Sequence, residues 1–105
     1  MITDKRAEEA FEYLRDTVVE IGQAKAELER SEILRKRTRK RNFLVADGSS
    51  VAQREAMAEV AKDVEEADDR WVTAVKEYEI LRARREIEVI ALDVWRTESA
   101  NRRRN

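Results

Sequence analysis

The chain has 105 residues, 43% of them charged and only 6% aromatic, with a formal net charge of −1. So high a charged fraction leaves room only for a thin core, which excludes a large globule, and the balanced net charge predicts no partner. With no cysteine, no proline and two glycines, the chain has no disulfides and should form a few long helices. Because it lacks an apolar segment of membrane-spanning length and a signal sequence, we expect a cytoplasmic protein with no membrane partner.

The first predicted helix covers about 4–46, with Thr3 or Asp4 as its N-cap. Apolar residues recur along it at steps of three and four, which predicts a seam against a second helix. The members of this seam are Ala7, Phe11, Leu14, Val18, Ile21 and Leu28. Gly22 lies inside the helix at a cost of about 1 kcal/mol relative to alanine. It is either a tolerated weakness or a point of close approach by a bulky side chain.

A run of cations follows where the apolar stripe fades. Its members are Arg35, Lys36, Arg37, Arg39, Lys40 and Arg41. Such a run can bind nucleic-acid phosphates. Alternatively, it is answered by acidic side chains of the partner helix between Glu55 and Asp69, each exposed pair contributing little.

Asp47–Ser50 is the one strong break in the chain, and we place the turn there. Gly48 can supply a left-handed helix end, and Ser50 with Gln53 matches a capping box. A turn this short makes its two flanking helices antiparallel neighbours. The sequence therefore predicts an all-α, coiled-coil-like helical hairpin in one domain, with a second helix over about 51–100 and a basic tail from 101 to 105.

The second predicted helix carries a longer seam. Its members are Met57, Val60, Val64, Ala67, Trp71, Ala74, Tyr78, Leu81, Arg85, Glu88, Leu92 and Trp95. Folding about Gly48 places Trp71 near Ala26, and Ala74 or Val75 near Gly22. It also places Phe11 and Leu14 near Ala83–Ile87. The two charged seam residues, Arg85 and Glu88, should be paired, since an unpaired buried charge is costly.

A second apolar stripe runs near the end of the same helix, through Ile80, Ala83, Ile87, Ile90, Ala91 and Val94. A two-helix hairpin cannot cover both stripes, and exposed apolar area of this kind usually marks an interface. We therefore expect a homo-oligomer, as a two-fold dimer forming a helical bundle. The predicted interface residues are Trp71, Ile87, Ile90, Val94 and Trp95.

Little in the sequence supports catalysis or metal binding. There is no histidine or cysteine base or nucleophile, and the two glycines are too far apart for a phosphate loop. The acidic stretch 64–69 lacks the ligand spacing of a calcium loop. We expect no catalytic, cofactor-binding or metal site, and a protein that is not an enzyme. The terminal arginines Arg102, Arg103 and Arg104 form a second candidate phosphate-binding cluster or a solubilising helix end.

Two stretches carry a resemblance. Residues 87–102 (IEVIALDVWRTESANR) resemble the ends of small bacteriophage helical proteins, and residues 10–16 and 21–26 resemble their opening. That family often has a proline-containing break before its final helix, which this chain lacks. Its members tend to be encoded among phage recombination and replication genes, which implies the host cytoplasm and no catalytic residue.

These observations lead to three functional hypotheses. The first is a self-associating, non-enzymatic protein that acts through protein–protein contacts, as an accessory to phage DNA recombination or replication. The alternative is a nucleic-acid-binding protein that uses the basic run and the arginine tail. The third is an inhibitor of a host nuclease or defence complex.

Overall fold

The structure, a computed structural model, describes residues 1–104 and contains four helices and no strand among them; 89% of the chain is helical. The helices are α1 (Asp4–Asp16), α2 (Val18–Val45), α3 (Val51–Glu59) and α4 (Lys62–Arg104). The predicted all-α class is confirmed. In the part of the chain that the structure describes, no helix combines the length and hydropathy needed to cross a membrane.

The chain divides into two compact units. The terminal unit consists of Met1–Gln23 and Glu79–Asn105, and the turn unit consists of Ala24–Tyr78. Within each unit, contacts join early residues to late ones, as Ile2 to Glu98 in the terminal unit and Asn42 to Asp63 in the turn unit. Each unit is therefore built on antiparallel helical segments.

The first predicted helix is divided at Thr17. Thr3 caps α1 by accepting from the Arg6 amide, as expected. At the other end, the Thr17 hydroxyl donates to the Tyr13 carbonyl oxygen at 2.8 Å, a back-bond that bends helices. Arg85 donates to the Leu14 carbonyl oxygen at 2.8 Å, which a regular helix would offer to the amide of residue 18. These two side chains account for the break between α1 and α2.

The second predicted helix is also divided, at Val60 and Ala61. Val60 leaves the α region with φ −97° and ψ 1°, and the Ala61 amide donates to the Ala58 carbonyl oxygen in a tightened last turn. The seam predicted through Met57 and Val60 is wrong for these two residues, which are 45% and 80% exposed. Because the break changes the direction of the helix face, Ala58 is the buried residue of α3 instead.

The turn occupies residues 46–50, close to the prediction. Ser50 caps α3 by accepting from the Gln53 amide, and the Gln53 side chain returns to the Ser49 amide at 2.8 Å. Gly48 does not adopt the expected left-handed conformation, since no residue between 1 and 104 has a positive φ. It is needed for space instead: a Cβ at Gly48 would lie 2.9 Å from the Arg54 nitrogen.

The core of each unit is a narrow line of small buried residues. In the terminal unit, the buried members of this line are Ala7, Ala10, Thr17, Leu81 and Ala91. In the turn unit they are Ser31, Thr38, Ala58, Val64, Ala67 and Ala74. The predicted α4 seam is confirmed from Val64 onward, because Trp71, Tyr78, Arg85, Glu88, Leu92 and Trp95 are all at least half-buried between these positions.

The predicted seam of the first helical segments is confirmed at Ala7, Leu14, Ile21 and Leu28, which are all at least half-buried, and is wrong at Phe11 and Val18. Phe11 and Val18 are 60% and 57% exposed, whereas Ala10 and Thr17 are buried beside them. The apolar pattern missed these buried positions because they carry alanine or a hydroxyl side chain. The Ser31 and Thr38 hydroxyls donate to carbonyl oxygens of their own helix at 3.0 and 2.8 Å. With their donors satisfied in this way, they pack as small core residues.

Candidate interaction surfaces

Of the two charged seam residues predicted to be paired, Glu88 has an ion-pair partner, whereas Arg85 is hydrogen-bonded to neutral oxygens. The Glu88 carboxylate accepts hydrogen bonds from Nη1 and Nη2 of Arg6, at 2.5 and 3.0 Å. This hydrogen bond to Glu88 raises the pKa of Arg6. Arg85 donates to Thr17 Oγ1 as well as to the Leu14 carbonyl oxygen. The seam therefore joins α1 to α4 by polar contacts as well as by small apolar residues.

The aromatic residues of the terminal unit lie at the edges of this seam. Trp95 Nε1 donates to Asp4 Oδ1 at 2.8 Å. Phe11 lines a groove of about 370 Å³ with Leu92 and Trp95. The prediction that Leu14 lies near Ala83–Ile87 agrees with its contact to Arg85, and the same prediction for Phe11 stays a prediction. Trp95, expected in an oligomer interface, already has a partner within its own chain.

A stripe of large apolar side chains in the same unit is left open. Ile80, Ile87, Ile90 and Val94 are 52%, 59%, 56% and 41% exposed. We call these four residues, with the exposed Ala83 between them, the apolar stripe. They follow one another at steps of three and four, so they share one face of α4. Three of the five predicted interface residues, Ile87, Ile90 and Val94, belong to it.

In the turn unit, an ion-pair network takes up the inner part of the basic run. Arg35 donates to Asp68 at 3.1 Å and stacks on the Trp71 ring, with its Cζ 4.1 Å from the ring centroid. Arg39 lies 2.8 Å from Glu59 and 3.0 Å from Asp68. A hydrogen bond to Glu59 is the main reason why the pKa of Arg39 is raised.

For Arg35 and Arg39, this network favours pairing with acids of the partner helix over phosphate binding. Arg35 and Arg39 are about two-thirds buried and are answered by acids of α3 and α4, as the packing alternative expects. Arg35 covers one face of the Trp71 ring, a contact that the sequence did not predict. The Trp71 ring and the Asp68 carboxylate therefore hold the same guanidinium group, that of Arg35.

The remaining cations of the run lie on the outside. Arg37, Lys40 and Arg41 are exposed, and the described residues offer them no ion-pair partner. Lys36 is also exposed and lies 3.3 Å from Glu32 of its own helix. Arg30, which the sequence analysis did not single out, is likewise exposed. It could have been found by extending the run back by one heptad from Arg37.

Arg30 and Arg37 line a groove of about 470 Å³ together with Arg70 of α4. Ile33 and Leu34 are among the apolar residues lining it. Arg70 donates to Glu27 at 2.9 Å. That hydrogen bond lowers the pKa of Glu27 and raises the pKa of Arg70.

The terminal arginines do not form a site with the same character. Arg102 donates to Ser99 Oγ at 3.1 Å and Arg103 to the Ser99 carbonyl oxygen at 3.4 Å, at the end of α4. Arg104 is exposed. Cations in the last turn interact favourably with the helix dipole, which agrees with the helix-end interpretation.

Across residues 1–104, no group of three acidic side chains is placed to hold a metal ion. In the acidic stretch 64–69, Val64 and Ala67 belong to the seam and Asp68 belongs to the Arg35–Arg39 network. Glu65, Glu66 and Asp69 are exposed.

Neither a scan against protein-family models nor searches of curated proteins and of solved structures returns a match. The functional conclusion therefore rests on the surfaces described above.

Proposed function

We propose that the protein is a self-associating, non-enzymatic helical protein that acts through protein–protein contacts, and that the apolar stripe of the terminal unit is its self-association surface. One observation carries the proposal: four large branched side chains on one face of α4 remain 41–59% exposed. Contiguous apolar area of this kind is rare on monomers and marks interaction sites.

A second copy of the chain is the occupant that best fits the stripe. The stripe repeats at steps of three and four, and two such stripes can pack with the side chains of each in the gaps of the other. A two-fold arrangement uses the same patch on both copies, so no further surface is required.

The exposed areas allow an estimate of strength. Full burial of an isoleucine or valine contributes about 1.5–3 kcal/mol, so covering the remaining half of each side chain contributes about 1 kcal/mol. Both copies contribute four such residues, and association itself costs at least about 4 kcal/mol. The net gain is about 4 kcal/mol, which corresponds to a weak dimer with a Kd of about 1 mM.

The resemblance at both ends of the chain supports a biological context for this assembly. We propose that it serves as an accessory to phage DNA recombination or replication, in the host cytoplasm.

The test replaces the centre of the stripe. We expect the wild-type protein to sediment above its 12.3 kDa monomer mass when its concentration reaches several hundred micromolar. I87E/I90E should remain a monomer over the same range with unchanged helical circular dichroism, because glutamates would be buried against each other in the dimer.

The matched control is V60E/V72E, which adds the same two charges at exposed valines of the turn unit and should associate like the wild type. A wild-type protein that stays monomeric to 1 mM would refute the proposal. Association that survives I87E/I90E would also refute it.

A further inference from the structure

The structure separates the basic run into an inner and an outer set of cations. Arg35 and Arg39 face acids of the turn unit. The outer set consists of Arg30, Arg37, Lys40 and Arg41, all exposed. At 100° per residue these four lie within an arc of about 100° on α2, and they extend along it for about 16 Å. We call this set the outer cationic face.

No acid interrupts the outer cationic face. The other residues on the same arc are apolar, Ala26, Ile33 and Leu44. The nearest acids of α2 are Glu29 and Glu27, about 20° and 40° outside the arc, and they pair with Lys25 and Arg70. At the far end of the face, Lys40 lines a groove with Glu55 and Glu59 of α3. From α4, the groove beside the face receives another arginine, Arg70, whose charge is answered by Glu27.

We infer that the outer cationic face is a sequence-independent binding site for the phosphate backbone of nucleic acid. Three of its four members are arginines, whose guanidinium groups match phosphate oxygens in two-point hydrogen bonds. Duplex DNA carries one charge per about 1.7 Å of its axis. A 16 Å row of cations therefore meets several phosphates in any register, whereas an acidic protein would need carboxylates at matching positions.

The chemistry of the face also limits what it can recognise. It carries no aromatic side chain for base stacking and no asparagine or glutamine for reading adenine edges. Binding should therefore come almost entirely from phosphate contacts, which position a protein but carry no sequence information. Duplexes of different sequence should bind with equal affinity.

Salt dependence gives the quantitative test. The probe is a fluorescently labelled 30-base-pair DNA duplex of mixed sequence, with binding followed by anisotropy between 25 and 200 mM KCl. Four phosphate contacts predict a slope of log K against log [salt] of about −3.6. In R30Q/R37Q/R41Q the slope should fall to about −0.9, with an affinity loss of at least about tenfold at 100 mM salt.

The control variant K5Q/K76Q/R96Q removes the same charge from exposed positions elsewhere, and it should keep both slope and affinity. No binding at 25 mM KCl would overturn the inference. A slope unchanged in R30Q/R37Q/R41Q would also overturn it and would direct attention to Arg102, Arg103 and Arg104.

Competition separates nucleic acid from an acidic protein. Unlabelled duplex should displace the probe at far lower charge concentration than polyglutamate does, because its charge density is higher. Equal displacement by polyglutamate would overturn the inference in favour of an acidic protein partner. The site goes beyond the proposed self-association, and it should persist in I87E/I90E, so the two proposals can fail separately.

Discussion

Replacing Gly22 by alanine should stabilise the protein. Gly22 lies within α2 and is exposed, and a Cβ built on it meets no heavy atom within 4 Å. The substitution therefore adds no clash and removes the backbone entropy cost of a mid-helix glycine, about 1 kcal/mol. For a domain of this size, that gain corresponds to a rise in Tm of about 4–8 °C.

Thermal unfolding followed by circular dichroism, at one fixed protein concentration, measures this shift. The matched control is G48A, where the new Cβ would lie 2.9 Å from both the Arg54 nitrogen and the Gln53 Cβ. Crowding against backbone atoms should cost about 1–3 kcal/mol, so the two substitutions are expected to change Tm in opposite directions. A Tm lowered by G22A would refute the reasoning and support the other interpretation of Gly22, close approach by a bulky side chain.

Three further predictions concern polar contacts. R85M should destabilise the protein by about 1–3 kcal/mol in urea unfolding, because the Leu14 carbonyl oxygen and Thr17 Oγ1 lose the donor of their part-buried hydrogen bonds, whereas R96M at an exposed position should change little. The Tyr13 hydroxyl is buried with no partner among residues 1–104, so Y13F should leave stability unchanged or raise it by about 1 kcal/mol, and a clear loss would show that the hydroxyl is bonded. By NMR titration, the pKa of Glu27 should lie below its ordinary value of 4.5 and rise toward it in R70Q. The lowered pKa means that the ion pair stabilises the protein above pH 4.5 and that this stabilisation is lost as the pH falls through the folded-state pKa. An unchanged pKa of Glu27 in R70Q would contradict this assignment.

Much of the helical organisation could be predicted because its signals are local. The Thr3 and Ser50 caps and the turn at 46–50 depend on residues only a few positions apart. The α4 seam could be predicted because its members recur at steps of three and four residues and several of them are large. Trp71 and Leu81 belong to that class.

The alternate positions of the first seam could not be found by apolar pattern alone. Its buried positions are occupied by Ala10, Thr17, Ser31 and Thr38, whose small size matters more than their hydropathy. The helix breaks were missed for a related reason. Arg85 bonds to carbonyl and hydroxyl oxygens of the distant α1 segment, and no local signal in α1 announces that contact.

The division of the basic run into paired and unpaired cations likewise could not be predicted without the structure. A run of cations on a helix must distribute itself around the circumference, but which members face acids depends on the register of the antiparallel segment. The structure assigns Arg35 and Arg39 to Asp68 and leaves Arg37 and Arg41 outside. The apolar stripe was visible in the sequence because its residues are large and regularly spaced.

Isotope-filtered NMR would test the central claim, self-association through the apolar stripe, most directly. In a concentrated mixture of methyl-labelled and unlabelled chains, only contacts between copies give filtered NOEs. The account predicts such NOEs at the methyl groups of Ile80, Ile87, Ile90 and Val94. Filtered NOEs that involve other methyl groups and leave these four silent would contradict it.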